Sequence, residues 1–308
     1  MRYLRLYSPS RVGLSLLLLG WSSPAVPQRA RPVEERTAVV SGGRHDSLPQ
    51  PAPVVARGIP FGPWNAPPGL IGTRYSGSVL SGIKPYRNLE EIKDRKGTVV
   101  LYLARNKSRE KGVFSVASVE RFLAGWPDLG PYIKDGTVWG IMVADDITGK
   151  HIWGPEAPYY AQIDSVAKLV KERWPGVRTI VRAPVNRMKY PWKWVDYAWV
   201  QYSQRFDDIT KFRDRQLALA DSLHLCTVFG LNTINGGDGS SGRSTGKNRA
   251  RMSPDEILEY YRVLLPYTPM AMHWEYRPDY DEDPAIQTAM ATVRSWADTT
   301  TRPSCRYH

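Results

Sequence analysis

The 308-residue sequence contains few of the residues that build metal and cofactor sites. It has only two cysteines and five scattered histidines, with no CxxC pair and no close pair of histidines. No Gly-rich segment has the spacing of a nucleotide-binding loop, and no Gly-x-Ser-x-Gly elbow occurs. These absences argue against zinc sites, nucleotide cofactors and Ser-His-Asp chemistry. We therefore expect a protein without a cofactor.

Long blocks of basic residues are also absent, although the net charge is +12. Because no nucleic-acid-binding module is recognisable, we interpret the excess as a generally basic surface and expect no nucleic-acid partner. At 42% hydrophobic and 11% aromatic, the chain has enough apolar residues to bury a core, which excludes wholesale disorder. The 11 Trp and 17 Tyr favour a packed core, with sugar-binding surfaces as the alternative use.

No apolar run reaches the length of about 20 residues that a membrane span requires. The apolar run at 12–21 follows three arginines and precedes the small residues that end at Ala25. This arrangement is typical of a secretory signal peptide, so we expect residues 1–25 to be removed and the protein to be secreted or periplasmic. We expect no stable membrane span after cleavage; an uncleaved N-terminal anchor is the alternative.

The remaining chain divides by composition into a linker, one domain and a tail. Residues 26–57 are rich in Pro, Arg, Ser, Val and Gln and show no helical or strand period, as in an extended disordered linker. From 58 to 300, apolar strand-like segments alternate with amphipathic helix-like segments, which predicts a parallel sheet in one domain. Seven strands are readable from Tyr75 onward, and residues 59–64 are a candidate for an eighth. Residues 301–308 form a short C-terminal tail.

Eight parallel strands would close a TIM-type (β/α)8 barrel, regular or slightly irregular, of about 250 residues. An open doubly wound sheet is the alternative, and the lack of a Gly-rich phosphate loop disfavours it. In a barrel, functional residues lie at the carboxyl ends of the strands. The polar and aromatic residues of those ends, and of the loop after the acidic pair described next, are our candidates for substrate binding: Trp64, Asn65, Arg105, Trp153, Arg182, Gln201, Tyr202, Asn232, Trp274 and Tyr276.

Three carboxylates lie at these strand ends: Asp145, Asp146 and Glu275. Small residues at positions 140 and 144 share the parity of Asp146 in its strand, so we expect Asp146 to point into the barrel mouth. The pair of Asp146 and Glu275 fits cleavage of a glycosidic bond, in which one group protonates the leaving oxygen and the other acts as nucleophile or base. Asp145 would assist by like-charge repulsion.

Other uses of the same residues remain open. Asp145 could cap the loop, and Glu275 could pair with Arg182 or another arginine. The three acids could also bind a hard cation, but without a close His pair we assign no metal. Core packing explains any single Trp as well as sugar stacking does. In an oxidising compartment Cys226 and Cys305 could form one disulfide, which geometry decides.

The order of the strand ends resembles a glycoside-hydrolase-type (β/α)8 barrel, with an acid after the fourth strand and a Glu near the end of a late strand. The resemblance covers about residues 58–296 and lies in Asp145-Asp146, in Trp274-Glu275-Tyr276 and in the Trp-rich rim. The large retaining clan has Asn-Glu where this chain has Asp-Asp, and its nucleophile follows strand seven. If residues 59–64 form strand one, Glu275 falls on strand eight. The chain is also similar to uncharacterised exported bacterial barrel proteins.

The resemblance implies a hydrolase that cleaves O-glycosyl bonds of a carbohydrate or polysaccharide substrate. A non-catalytic glycan-binding or surface-interaction barrel is the alternative. The sequence leaves open the sugar, the linkage, the stereochemical outcome and the oligomeric state.

Overall fold

A computed structural model describes residues 58–103, 108–110, 113–154, 157–206, 208–246, 249–305 and 307. The expected signal peptide and linker, residues 1–57, lie outside the described residues, as does the candidate Arg105. None of the helices described within these ranges is both long and apolar enough to cross a membrane.

Eight strands form one parallel sheet, which confirms the prediction of a TIM-type barrel. In chain order they are β1 (Phe61–Pro63), β2 (Gly77–Leu80), β3 (Thr98–Tyr102), β4 (Val138–Asp145), β5 (Arg178–Arg182), β6 (Tyr197–Tyr202), β7 (Cys226–Leu231) and β8 (Ala271–His273). The hydrogen-bonded order is β1-β8-β7-β6-β5-β4-β3-β2. A parallel bridge between Trp64 and Val79 then joins β1 to β2. The segment at 59–64 is therefore a barrel strand.

Helices cover the outside of the sheet. They are α1 (Leu89–Asp94), α2 (Val116–Ala124), α3 (Gly130–Lys134), α4 (Lys150–Trp153), α5 (Tyr160–Arg173), α6 (Ile209–Ser222), α7 (Pro254–Leu264), α8 (Pro278–Asp281) and α9 (Pro284–Thr299). Between β5 and β6 the described chain forms only a short 3-10 turn, Val185–Arg187. Two antiparallel pairs lie in loops: Arg109–Glu110 with Val113–Phe114, and Ser244–Gly246 with Arg249–Ala250.

Several helices begin where the sequence predicts a cap. The Ser253 hydroxyl accepts from the Glu256 amide while the Glu256 carboxylate accepts from the Ser253 amide, which is the predicted capping box of α7. Ser115 caps α2 by accepting from the Ser118 amide. Two helices, α2 and α3, follow Ser115 before β4 begins. Pro127 removes a backbone donor and disfavours a helical residue before it, so α2 ends and α3 begins anew.

The core has two layers, as expected when one sheet face closes on itself and the other receives helices. Side chains inside the barrel form an inner cluster: Trp64, Val79, Val100, Tyr102, Trp139, Met142, Ile180, Tyr197, Trp199, Val228, Met270 and Met272. A larger outer cluster packs the sheet against the helices. Seven of the tryptophans that the structure describes are buried, so packing accounts for most of their number.

The seam between β1 and β2 is closed largely by side chains. Pro63 has no amide hydrogen to donate across the seam, and its carbonyl oxygen accepts from the Ser78 hydroxyl at 2.7 Å. Gly62 lies so close to β2 that an added Cβ would stand 1.9 Å from the Gly77 carbonyl oxygen. Only glycine permits this approach of the two backbones. The irregular strand therefore still completes the barrel.

The two cysteines form a disulfide, which settles the alternative that the sequence leaves open. Cys226 and Cys305 are bonded with their Cα atoms 5.7 Å apart. Cys226 is the first residue of β7, and both cysteines pack against the inner cluster. The bond therefore holds the C-terminal tail at the amino end of the barrel, opposite the strand ends that carry the candidate site.

Candidate active site at the carboxyl end of the barrel

A ring of polar and aromatic side chains lies at the carboxyl end of the inner cluster. Arg182, Gln201 and Trp274 each follow an inner-cluster residue by two positions, and Asn232 follows the inward Gly230 in the same way. Because side chains two apart in a strand share a face, all four point toward the barrel mouth. Asp145 lies opposite Arg182 in the β4–β5 register and joins the ring.

Arg182 connects the members of this ring. Its Nε donates to Asp145 Oδ1 and its Nη1 donates to Gln201 Oε1 at 2.9 Å. Its guanidinium carbon lies 5.4 Å from the centre of the Trp274 ring, in cation–π contact. The Asp145 side chain is 2% exposed and that of Arg182 is 18% exposed. The pair is thus largely removed from water. Charge-assisted hydrogen bonds are stronger in such a buried environment, so these contacts fix the geometry of the two side chains.

The prediction that Asp146 is the inward acid is wrong, because Asp145 takes that position. Register explains the error. Met142 pairs with Ile180 but Ala144 pairs with Val181, so β4 has one extra residue at position 143. A bulge of one residue shifts the alternation, and the acid beyond it changes face.

Asp146 lies instead on the rim of the mouth. Its side chain is 47% exposed, and its Oδ2 lies 3.9 Å from Arg182 Nη2. The backbone has a left-handed φ of 52°, which Asp adopts more readily than most residues. Its amide donates to the Arg182 carbonyl oxygen at 2.9 Å, and its carbonyl oxygen accepts from Gly149 at 2.8 Å. The exposed carboxylate is therefore held by an ordered turn.

Glu275 pairs with an arginine, one of the alternatives left open by the sequence. The partner is Arg277, whose Nη2 lies 2.5 Å from Glu275 Oε1. Glu275 is 18% exposed at its side chain whereas Arg277 is 55% exposed. Arg277 is not among the residues predicted from the strand ends. The available signal was its spacing of two from Glu275, which gives both side chains the same direction in an extended chain.

Trp274 is the candidate aromatic that best keeps an accessible surface at the mouth. Its side chain is partly exposed, and its ring contacts Trp64 edge-to-face with centroids 4.9 Å apart. Trp64 itself is 3% exposed and stacks on Trp199 at 5.3 Å inside the barrel. The prediction of Trp64 as a stacking platform is wrong because its faces are covered by core residues.

The prediction that Trp153 and Tyr202 contact substrate is also wrong, because both side chains are buried. Trp153 is buried against Phe114, and its Nε1 donates to the Asp145 carbonyl oxygen at 2.8 Å. Tyr202 is buried on the outer face of the sheet, where it packs edge-to-face against Phe212 on α6. Trp153 therefore supports the end of β4 from behind.

Asn65 and Asn232 have their amide oxygens engaged by neighbours. Asn65 Oδ1 accepts from the amide and hydroxyl of Ser81, at 3.0 and 2.9 Å. Asn232 Oδ1 accepts from the Asn235 amide at 3.1 Å. These contacts orient both side chains, and each carries an amide nitrogen that can donate to a sugar hydroxyl.

Tyr276 is oriented away from such a role by Glu282. Its hydroxyl donates to Glu282 Oε1 at 2.5 Å, and its ring packs against the outer cluster. Burial, assisted by this hydrogen bond, raises the pKa of Tyr276 to about 12. The hydroxyl is therefore protonated at neutral pH and committed to the carboxylate.

Within the described ranges, no group of three or more His, Cys, Asp and Glu side chains is arranged to hold a metal ion. The available acids are Asp145, Asp146 and Glu275, of which Asp146 is the most exposed.

No protein-family model matches the sequence, and no curated protein matches it. Among solved structures, an intracellular xylanase from Thermoanaerobacterium saccharolyticum matches with a TM-score of 0.46 and 11% identity, over 72% of this chain and 87% of that one. A fungal β-1,4-galactanase matches at 0.49 and 10%, over 71% and 87%. A D-psicose 3-epimerase matches at 0.41 and 12%, over 79% and 98%. The chain is thus similar to glycoside hydrolases, and to an epimerase, in its parallel barrel.

Proposed function

We propose that the carboxyl-end mouth binds a carbohydrate and cleaves a glycosidic bond. The observation that carries the proposal is the ring around Arg182, in which Asp145 and Gln201 are hydrogen-bonded beside the partly exposed Trp274. Sugar sites combine a flat aromatic face with fixed hydrogen-bonding groups, since a sugar ring has both apolar C–H faces and hydroxyls. The described barrel mouth has both components.

Glycosidic cleavage requires one carboxyl group that protonates the leaving oxygen and a second that acts as nucleophile or base. We assign the acid/base role to Asp146, whose carboxylate is exposed at the rim. We assign the second role to Glu275, whose side chain is 18% exposed and lies just beyond the end of β8. Its partner Arg277 is more than half exposed, so it can turn into solvent when substrate enters. Asp145 is a positioning residue, since it holds Arg182.

A non-catalytic glycan-binding barrel is the second candidate. One observation favours it: Asp145 and Glu275 are each paired with an arginine, so two of the three acids are already neutralised. A binding protein needs only the ring and the Trp274 face. This alternative predicts that the protein binds a glycan but releases no new reducing ends from it.

The experiment is a panel of xylan, mannan, galactan and chitin oligosaccharides, assayed for new reducing ends. Asp146→Asn and Glu275→Gln should each lower turnover by about 10²–10⁴-fold, the usual contribution of a general acid or base. The matched control is Asp214→Asn, an exposed acid on α6 that pairs with Arg213. Unchanged turnover in both site variants would contradict the assignment. Binding that Trp274→Ala abolishes, with no cleavage by the wild type, would establish the second candidate.

We also propose that the protein acts outside the cytosol. The Cys226–Cys305 disulfide supports this, because such bonds persist in oxidising compartments. When the protein is expressed in a host that can export it, mass spectrometry of the recovered protein should show a chain that begins at the residue after Ala25. A chain that keeps residues 1–25 in the cytosolic fraction would overturn the proposal.

A further inference from the structure

A second concave site lies at the amino end of the barrel, on the opposite side from the mouth. It is a cavity of about 240 Å³ beside the first residues of β2 and β3, closed on one side by α9 and by the C-terminal tail. Four cationic side chains line it, and one acid: Arg95, Lys96, Arg294, Arg302 and Asp298. We refer to it as the basic cavity.

Two of the four cations are already neutralised within the fold. Arg95 pairs with Glu91 at 2.6 Å, and Arg294 Nε lies 3.4 Å from Asp298 Oδ2. Lys96 and Arg302 form no salt bridge with an acid of the described residues. The basic cavity therefore has two positive charges in excess at neutral pH.

Arg302 is the least satisfied of these groups. Its Nη2 donates to the Gly58 carbonyl oxygen at 2.7 Å, but its buried Nε has no hydrogen-bond partner among the described residues. Burial, together with the nearby Arg178, lowers the pKa of Arg302 to about 10. A charged donor held without an acceptor is costly, and an anion would offset that cost.

Neutral donors complete the lining. The Ser76 hydroxyl accepts from the Phe61 amide at 3.0 Å, which leaves its own proton to donate. An oxyanion with a charge of −2 matches the excess charge, and its several oxygens match donors that converge from different elements. The cavity volume of about 240 Å³ is several times the roughly 30 Å³ that one water molecule occupies in the liquid. The cavity can therefore admit an anion with an organic substituent.

We propose that the basic cavity binds a phosphate or sulfate group, either free or as the monoester of a small organic molecule. Lys96 and Arg302 supply the charge, and Ser76 supplies a neutral hydrogen bond. The disulfide between Cys226 and Cys305 keeps Arg302 at this position, since it anchors the tail three residues later. The proposal is independent of the chemistry at the mouth.

The test is calorimetric titration of the disulfide-intact protein with inorganic phosphate, sodium sulfate and glycerol phosphate at constant ionic strength. We expect saturable binding at one site per chain. Lys96→Asn should weaken it about tenfold, the effect of losing one charge-assisted contact. Asn suits this position because Lys96 has a left-handed φ of 59°. Lys134→Asn, at an exposed lysine that ends α3, is the matched control and should bind like the wild type.

Arg302→Gln should weaken binding by a similar factor, with circular dichroism and a thiol assay to verify the fold and the disulfide. Lys96→Asn keeps the test decisive if Arg302→Gln does not fold. Binding of inorganic phosphate alone would identify a free-anion site, and binding of glycerol phosphate as well would identify a monoester site. Absence of saturable binding by all three anions, or equal binding by wild type and Lys96→Asn, would overturn the proposal.

Discussion

At the carboxyl end of the barrel Arg182 lies against Asp145, Gln201 and Trp274, whereas at the amino end Arg302 donates to one carbonyl oxygen and lies near Arg178. Both arginines are substantially buried. The first has its charge matched by a neighbouring carboxylate, and the second does not.

The difference indicates two uses of a buried charge. At the carboxyl end, compensation within the fold preorganises a hydrogen-bonding surface, so the binding of a neutral sugar that we propose would require little rearrangement. At the amino end, the uncompensated charge is a cost to folding that an anion would remove. The following predictions test this contrast, beginning with the largest expected effect on stability.

The first prediction concerns the disulfide that holds the amino end together. Replacing Cys226 and Cys305 by Ser should lower the free energy of unfolding by about 4.5 kcal/mol, the value expected from loop entropy for a closed loop of 79 residues. Urea denaturation of the oxidised wild type and of the double variant measures the difference. Reduced wild type should behave like the variant. If the loss is close to zero, the tail does not depend on the bond, and Arg302 is held by other contacts.

The second prediction concerns the compensated charge at the carboxyl end. Asp145→Asn should lower the free energy of unfolding by about 3 kcal/mol, the lower end of the range for breaking a buried pair. We take the lower end because Asp146 Oδ2, 3.9 Å from Arg182 Nη2, remains as a partial counterion.

A double-mutant cycle with Arg182→Met gives the control for this prediction. The cost of Asp145→Asn should largely disappear in the Arg182→Met background, where no buried cation is left without a partner. An equal cost in both backgrounds would show that Asp145 stabilises the fold through contacts other than Arg182.

The architecture could be predicted from the sequence because the hydrophobic periodicity and composition of a segment depend only on the residues within it. The apolar strands, the capping box at Ser253 and the polar strand ends can each be recognised from the residues of their own short segment. The sequence leaves the first strand open, because no helix-like segment separates residues 59–64 from the strand that begins near Tyr75. Its role becomes visible only in the tertiary structure, where the Asn65 amide donates to the Val79 carbonyl oxygen and the Ser78 hydroxyl donates to the Pro63 carbonyl oxygen.

The candidate site was predicted less well, because its details depend on register and on tertiary contacts. The extra residue at position 143 exchanges Asp145 and Asp146 between faces, and nothing in the local sequence marks a bulge there. Burial of Trp64 and Trp153 likewise results from neighbours distant in sequence. The basic cavity combines residues from four separated segments at the opposite end of the barrel from the strand ends, so no local sequence pattern marks it.

The third prediction concerns packing between β7 and β8, below the mouth. A Cβ at Gly230 would stand 1.7 Å from the Met272 carbonyl oxygen, so Gly230→Ala forces the two backbones apart. We expect a loss of about 2 kcal/mol, within the usual cost of overpacking a core. Gly69→Ala is the matched control, because no atom lies within 4 Å of its added Cβ. Thermal unfolding of both variants measures the contrast, and equal stabilities would mean that the strands separate at no cost.

The last prediction concerns the uncompensated charge at the amino end, where the effect of substitution should be small and depend on pH. The pKa of Arg302 is lowered to about 10 by burial and secondarily by Arg178, so the unfolded chain holds this proton more tightly than the folded chain. Stability contributed by Arg302 should therefore rise with pH across the window that begins at about pH 10.

Arg302→Met should change the free energy of unfolding by about 1 kcal/mol or less at neutral pH, since one hydrogen bond to Gly58 is lost while a buried charge is removed. Denaturation in an anion-free buffer from about pH 8 to pH 11 should show the wild type gaining stability relative to the variant as pH rises, with the titrations of tyrosines other than Tyr197, which interacts with Arg302, cancelling in the difference. A difference that stays constant with pH would mean that the Arg302 charge is already compensated, and the contrast between the two ends of the barrel would then fail.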